Sequence, residues 1–476
     1  MNKLSKLLLI PALLLSFLVF KKSFLSPITH DEAFSYEVYS PKNIKDILAF
    51  STDVSANNHI VNSLYMKFIA AIGLEHTGVL RLVSSLSFLL FLFSLVSIAK
   101  NQDNTWSLGL YLLACANPYL LDFFSLARGY GFSFACMAFS IFLFIKGMRE
   151  PLSNKLFWAI QVATVAMLSN FNLVYFWSAL NLYHAILFLS QKNVQKAVLI
   201  KQVKTYVFPL LSLAYLLVVF GKLQAAQQLY FGGKDGFLNN VVEDQLWCYI
   251  YDNNYALNPQ LLAIWDITPI FLLVVAIGAG FFKSVRTNPA YREWIFTLFL
   301  VLVSALFIEL NHRLTHSLYP IKRTGLFLSV LQSISVMLFF RFLISLKYLK
   351  VPALITSYSL ALVLFAHTLY SYNGMRFREI PYDCHHYEIL SVLEKETKTN
   401  EVLNLSANWQ VGPALNFYRK TKNLSWMPII TRDTLNTKAN YLIVFDEDLP
   451  KLQTDSLQEL LAYPQEGLYV YKKSRN

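Results

Sequence analysis

Long apolar runs constrain this chain more than any other feature. Crossing a hydrocarbon core of roughly 30 Å takes about 17 to 25 residues of helix, and runs of that length recur from the N-terminus to Leu369. They number about eleven, centred near Leu14, Leu90, Leu113, Phe139, Ala163, Leu180, Leu213, Leu273, Phe299, Leu331 and Leu362. The fifth and sixth, on either side of Asn170 and Asn172, read either as a short hairpin or as one broken span. The first run, Leu7 to Phe20, follows Lys3 and Lys6 as a signal peptide would. Lys21, Lys22 and Phe24 stand where a small-residue cleavage pattern would lie, so it reads as an uncleaved first span.

Charge then supplies an orientation. With 41 basic and 29 acidic residues the chain carries +12, and a pI near 9.3 invites a nucleic-acid reading. Such a partner needs Lys and Arg concentrated on a wettable face, whereas here they are scattered between apolar runs, so no nucleic-acid partner is expected. The segments expected inside hold Lys3, Lys6, Lys100, Lys146, Arg149, Lys155, Lys192, Lys196, Lys201, Lys204, Lys283, Arg286, Arg292, Arg341, Lys347 and Lys350. Against these stand only Asp103, Glu150 and Glu293. That bias places the N-terminus in the cytoplasm and, after eleven spans, the C-terminus outside, in what reads as a bacterial inner (plasma) membrane.

Two domains are expected. Residues 1–371 form the membrane part, whose first outer loop, 21–78, has apolar residues at helical spacing (Ile44, Ile47, Leu48; Ile60, Leu64, Phe68), as in amphipathic helices at a membrane surface. Another outer loop, from Leu223 to Trp265, reads as a flexible cover. Residues 372–476 read as a small soluble α/β domain outside the membrane: helix His386 to Lys398, strand Glu401 to Leu405, helix Pro413 to Arg419, strand Tyr441 to Phe445, helix Leu452 to Leu461, strand Leu468 to Tyr471. Its 13 basic and 13 acidic residues cancel, so the net charge belongs to the membrane part. The four cysteines are scattered and support neither a disulfide framework nor a CxxC metal site.

Four groups in the outer loops carry chemistry. His30-Asp31-Glu32 follows the first span, and adjacent carboxylates at a membrane boundary are costly to desolvate without a cation, a metal or a reacting hydroxyl. Asp31 could take a proton from an attacking hydroxyl; equally, the pair could cap the next helix. Asp53 and His59 add a second carboxylate and an imidazole, suited to acid/base or metal-assisted work, or to capping the helix after Asn58. Arg128, in Ala127-Arg128-Gly129-Tyr130, offers a planar fork for phosphate, or snorkels to the interface. Asn311-His312-Arg313 and Lys322-Arg323 place positive charge on the outer side, where orientation does not call for it; a bound anion or interfacial anchoring would. Tyr130 and Tyr249 are candidate sugar or acceptor contacts. Asp383-Cys384-His385-His386 has metal-binding residue types at a spacing that does not match zinc, which favours a structural role.

Taken together, these groups resemble the GT-C superfamily of integral membrane glycosyltransferases, near the family of the protein O-mannosyltransferases and the lipid A aminoarabinose transferase. The resemblance rests on Asp31-Glu32-Ala33, on Asn58-His59-Ile60-Val61-Asn62 in place of a His-Pro-Pro-Leu segment, on Leu80-Arg81-Leu82 entering the second span, on Ala127-Arg128-Gly129-Tyr130, and on Lys322-Arg323. It covers best the first 190 residues or so. It implies a transferase moving a sugar from a polyprenyl-phosphate donor to an extracytoplasmic glycan, lipid or protein acceptor, with inversion. Asp31 would be the base or metal-associated carboxylate, supported by Glu32, and Arg128, Lys322 and Arg323 the donor-phosphate contacts, with a divalent metal as the one cofactor to consider. Leu126 stands where many relatives have an acidic residue, and the prolines near His59 are absent. The rival readings are a transporter or flippase for a lipid or polyanion, which would hold its charges near the bilayer midplane, and a non-catalytic membrane scaffold.

Overall fold

The computed structural model describes residues 3–100, 105–150, 154–190, 196–251, 259–397, 401–432, 435–452 and 457–473; Asp103, Lys192 and Lys398, cited above, lie outside them. Each of the eleven apolar centres falls in a helix. Among the described residues seven helices are long and apolar enough to cross a membrane: Leu82–Ala99, Gly129–Arg149, Phe171–Leu189, Val203–Ala225, Pro289–Thr315, Leu326–Ser345 and Lys350–Ser371. Two more candidates are bent pairs, Ile10–Leu25 with His30–Tyr39 at 64° and Thr105–Cys115 with Pro118–Phe124 at 79°. Length and composition therefore support seven to nine spans, and eleven is reached only by adding the shorter apolar helices Lys155–Ser169 and Ile267–Gly280.

Both bends have a local cause. Proline removes a helical N–H donor and biases the residue before it away from helix. Pro27 stands in the first break, and Thr29, in extended conformation, starts the next helix. At the second break Asn117 precedes Pro118, and its side chain accepts the Leu120 N–H at 3.0 Å. Asn170 breaks a third helix in the same way, capping the Asn172 N–H at 3.2 Å. Trp177 Nε1 then donates to Thr164 Oγ1 at 2.9 Å across that break, so the fifth and sixth runs form a hairpin.

The chain divides into two compact units. The first comprises Met1–Val19, Ala49–Val61 and Val83–Tyr372. Its helices pack through small and aromatic contacts, including Ser140 Oγ on the Ala159 carbonyl at 2.7 Å and Phe144 stacked on Phe296 at 4.6 Å. Glu293 ties three helices by accepting from Arg149 Nε at 2.6 Å and pairing with Arg341 at 2.8 Å. The described residues of the stretch expected as a cover, 223–251 and 259–265, include regular structure. They form a π-helical turn, Leu238–Glu243, and a helix, Asp244–Ile250, because Gly233 bridges Tyr319 through both backbone groups and lets Asn240 close over it.

The second unit comprises Phe20–Leu48, Asn62–Leu82 and Asn373–Asn476, so the C-terminal segment shares its core with two pieces of the first loop. Its sheet has the order β1 (Leu405–Ala407), β2 (Tyr441–Phe445), β4 (Leu468–Lys473), β3 (Leu457–Tyr463), with β1 parallel to β2 and the other pairs antiparallel. Every residue of β2 is buried, and the helices His386–Glu396 and Gly412–Thr421 complete the unit. Two elements differ from expectation. The strand expected over Glu401 to Leu405 starts only at its last residue, because pairing with β2 sets β1 at Leu405–Ala407 and leaves 401–404 irregular. The helix expected over Leu452 to Leu461 is absent; a turn at Leu452 leads to β3 as an edge strand, residues 453–456 lying outside the description. Leu457, Leu460 and Leu461 have helical spacing, but the turn ending at Gly467, where φ is +62°, folds the segment back onto β4, and pairing overrides the local pattern.

Candidate active site

In the second unit the site is built around the start of the His30–Tyr39 helix. Glu32 reaches back to its cap, accepting the Thr29 N–H at 2.9 Å and hydroxyl at 3.0 Å. The same carboxylate receives Arg81 as a fork, Nε to Oε1 at 2.8 Å and Nη2 to Oε2 at 2.6 Å. Arg81 turns its remaining donors to the Ser23, Ser26 and Pro27 carbonyls and the Ser26 hydroxyl, at 2.7 to 3.2 Å. Both side chains are fully buried. A guanidinium has five N–H donors in a fixed fork, and here they hold the turn that closes one helix and opens the next. Glu32 is thus enclosed, while its neighbour Asp31 stays half-buried on the open side of the helix.

The turn is also held from the C-terminal segment. Asp383, itself buried, accepts the His30 N–H at 2.7 Å, and the Tyr418 hydroxyl accepts the Ile28 N–H at 2.7 Å. Burial pushes the Asp383 carboxyl well above the usual carboxylate range, against the lowering effect of that hydrogen bond. His386 Nε2 lies 3.4 Å from the other Asp383 oxygen, and burial brings this imidazole down to about 3. Among the described residues no group of three or more His, Cys, Asp or Glu side chains is gathered as a metal site would require.

The first unit brings His59, Arg128 and Tyr130 together. Arg128 caps the Gly129–Arg149 helix in extended conformation and is buried. Its Nη2 lies 3.4 Å from His59 Nε2, which must therefore accept, and its guanidinium carbon is 5.7 Å from the centre of the Tyr130 ring. His59 meets the same ring edge-on at 4.9 Å. Gly129 permits this, since a Cβ there would fall 2.3 Å from the Ser169 carbonyl and 2.9 Å from His59. Asp53 is exposed, with a left-handed φ of +45° that non-glycine residues adopt at a cost.

Lys322 and Arg323 open a short 3₁₀ turn, Lys322–Thr324, with Lys322 also left-handed at φ +48°. The Lys322 N–H donates to the Asp244 carboxylate, and Arg323 lies 4.3 Å over Phe231. The neighbouring charges have partners. Glu309 accepts from Arg313 Nε at 2.6 Å and from the Tyr319 hydroxyl at 2.8 Å, while His312 stacks on Tyr319 at 4.0 Å. Of the tyrosines expected to touch sugar, Tyr130 is buried among Phe123, Phe134 and His59. Tyr249 pairs with the Ser333 hydroxyl, and its carbonyl meets His367 Nε2 at 2.6 Å.

By sequence, no family profile and no curated protein matches the chain. By structure it is similar along its whole length to ArnT from Cupriavidus metallidurans in the apo state, with TM-score 0.52, 10% identity, and 98% of this chain and 97% of that one covered. Against ArnT from the same organism bound to undecaprenyl phosphate the TM-score is 0.54, at 10% identity and 98% coverage of both chains. The chain has the GT-C fold. With its apolar helices, that fold makes it an integral membrane protein. Sequence reasoning missed three groups in it. Arg81 carried only resemblance, although an arginine directly before an apolar span is a signal of a buried anion. The Asp383 motif read as structural, but neither its hold on the His30 N–H nor the pair of Asp122 with Tyr251, whose hydroxyl donates to Asp122 Oδ2 at 2.6 Å, had a local pattern to reveal it.

Proposed function

We propose that this protein is a GT-C glycosyltransferase that moves a sugar from a polyprenyl-phosphate carrier to a hydroxyl acceptor on the extracytoplasmic face. The observation that carries the reading is the contrast at the start of the His30–Tyr39 helix: Glu32 is enclosed by Arg81 and Thr29, which leaves Asp31 as the carboxylate on the open side. Asp31 takes the proton of the acceptor hydroxyl as its oxygen attacks the anomeric carbon. The bond from that carbon to the phosphate oxygen breaks, polyprenyl phosphate leaves with the electron pair, and one displacement inverts the centre. Glu32 is a positioning residue. Arg128, Lys322 and Arg323 neutralise the departing phosphate, the largest electrostatic demand of the step, and the His59 contact orients Arg128. The N-terminus is cytoplasmic and the second unit extracytoplasmic, as the distribution of Lys and Arg supports.

Asp31→Asn tests the reading in proteoliposomes supplied with a labelled polyprenyl-phosphate sugar. The expected result is loss of transfer by at least about a hundredfold, the usual contribution of a general base, with insertion and melting unchanged. Wild-type rates in the variant would overturn the assignment of Asp31.

A further inference from the structure

The open side of the His30–Tyr39 helix carries more than Asp31. At 3.6 residues per turn, His30, Asp31, Phe34 and Glu37 fall within an arc of about 120°, and each of them is half-buried or exposed, while Glu32, Ala33, Ser35, Tyr36 and Tyr39 are buried. Two side chains of the C-terminal segment, within the same compact unit, extend this arc. Trp409 meets the His30 ring edge-on at 5.5 Å and remains 47% exposed. Arg432 lies 4.5 Å over the Phe34 ring and 5.9 Å from that of Trp409, with Nη2 3.2 Å from His30 Nε2.

The turn that carries Trp409 is held by hydrogen bonds. Asn408, just before the tryptophan, is buried; its N–H donates to the Ile443 carbonyl at 2.8 Å, its side-chain amide donates to Asp448 at 2.7 Å, and its side-chain oxygen accepts the Gln410 N–H at 2.9 Å. His30 Nδ1 meets the Gln410 carbonyl at 2.5 Å, so Nδ1 carries the proton and Nε2 accepts from Arg432. A large aromatic left half in water on an immobilised turn is costly unless something covers it.

We propose that Trp409 and Arg432, with Glu37 on the same side of the helix as Asp31, form a saccharide-binding subsite beside Asp31. The proposal rests on the transferase reading for its place in the reaction and on the second unit's own geometry for its existence. The C–H face of a pyranose is apolar and covers an indole face, while its edge is a row of hydroxyls. Arg432 donates to such hydroxyls and Glu37, within electrostatic reach of Arg432, accepts from them. A carboxylate beside the arginine suits neutral hydroxyls and repels a phosphate, so the ligand is the sugar ring rather than the carrier's phosphate.

Saturation-transfer NMR on the full-length protein in detergent tests this with the methyl α- and β-pyranosides of glucose, galactose, mannose and N-acetylglucosamine as probes. At least one should receive saturation at the protons of its apolar face, with the signal lost in Trp409→Ala and retained in Trp409→Phe. No signal from any glycoside on the wild type, or an equal signal on Trp409→Ala, would overturn the subsite. In the transfer assay Trp409→Ala should raise one KM by about tenfold or more, equivalent to about 1.4 kcal/mol, with kcat nearly kept. If the donor KM moves, the ring is the donor's; if the acceptor KM moves, it is the acceptor's; if neither moves, the proposal falls. A wild type that binds a glycoside through Trp409 but never transfers sugar would sink the transferase reading and leave the subsite standing.

Discussion

Two buried glutamates paired with arginine mark different regions and are built differently. In the second unit Glu32 and Arg81 form a one-to-one pair, both fully buried, with the guanidinium's other donors on backbone carbonyls and a serine. In the first unit Glu293 serves two arginines, Arg341 at 6% exposure and Arg149 at 40%. The first arrangement closes a turn and leaves no slack. The second is an asymmetric tie between helices in which one partner can turn to water. Since a charge buried without its partner costs far more than the pair contributes, the closed pair is the one that cannot be altered piecemeal, and it lies one residue from Asp31.

That difference can be broken experimentally. Arg81→Ala should be the most damaging change, destabilising by about 3–5 kcal/mol because Glu32 stays buried without its cation; melting in detergent reads the loss, and sugar transfer should disappear with it. Glu293→Gln should cost less, about 1–3 kcal/mol, since Arg149 can rehydrate and the amide oxygen still accepts from the buried Arg341, and should leave transfer by the folded protein in place. If the two variants melt alike, the distinction between closed and open pairs is wrong.

His386 sharpens the comparison, being a buried ionisable group kept neutral beside a carboxyl that burial also pushes toward its neutral form. Its folded value of about 3 lies below the usual 6.5, so the unfolded chain binds a proton that the native one refuses. Stability from this residue is complete above pH 6.5 and is lost as the pH falls toward 3, by about 1–2 kcal/mol at pH 5. The raised Asp383 has the opposite sign, which is why His386→Asn should be compared with wild type at each pH: its stability should fall less between pH 6.5 and 5. The smallest effect is expected at the surface. Lys420, 58% exposed, reaches Glu75 at 3.2 Å and the Tyr36 hydroxyl at 3.1 Å. Lys420→Met should cost no more than about 1 kcal/mol, read by the same melting assay.

How much of this was legible in the chain differs by level. The apolar helices were, because a period and a length suffice, and so was the break at Asn170; those at Pro27 and Asn117-Pro118 emerged only in the structure. The strand at Leu457–Tyr463 was not, since its leucines fit a helix and only a partner strand excludes one. Among the candidate residues, Asp31, His59 and Arg128 stood out as groups capable of chemistry near a membrane. Their partners did not, because Arg81 is 49 residues from Glu32 and His59 is 69 from Arg128. Asp383 is 353 residues from the backbone amide that it holds, and the motif around it pointed to a structural role without showing what it braces.

By itself, then, the sequence determined a helical membrane protein with a charge bias along its loops and a carboxylate pair after the first span, because hydropathy and charge act locally and show in composition. Only the tertiary structure decided that the C-terminal segment and two pieces of the first loop are one unit, that Glu32 is enclosed, and that Trp409 and Arg432 stand beside the helix of Asp31. Those outcomes depend on contacts between residues hundreds of positions apart, where packing and hydrogen-bond geometry choose among partners that the local pattern leaves equivalent.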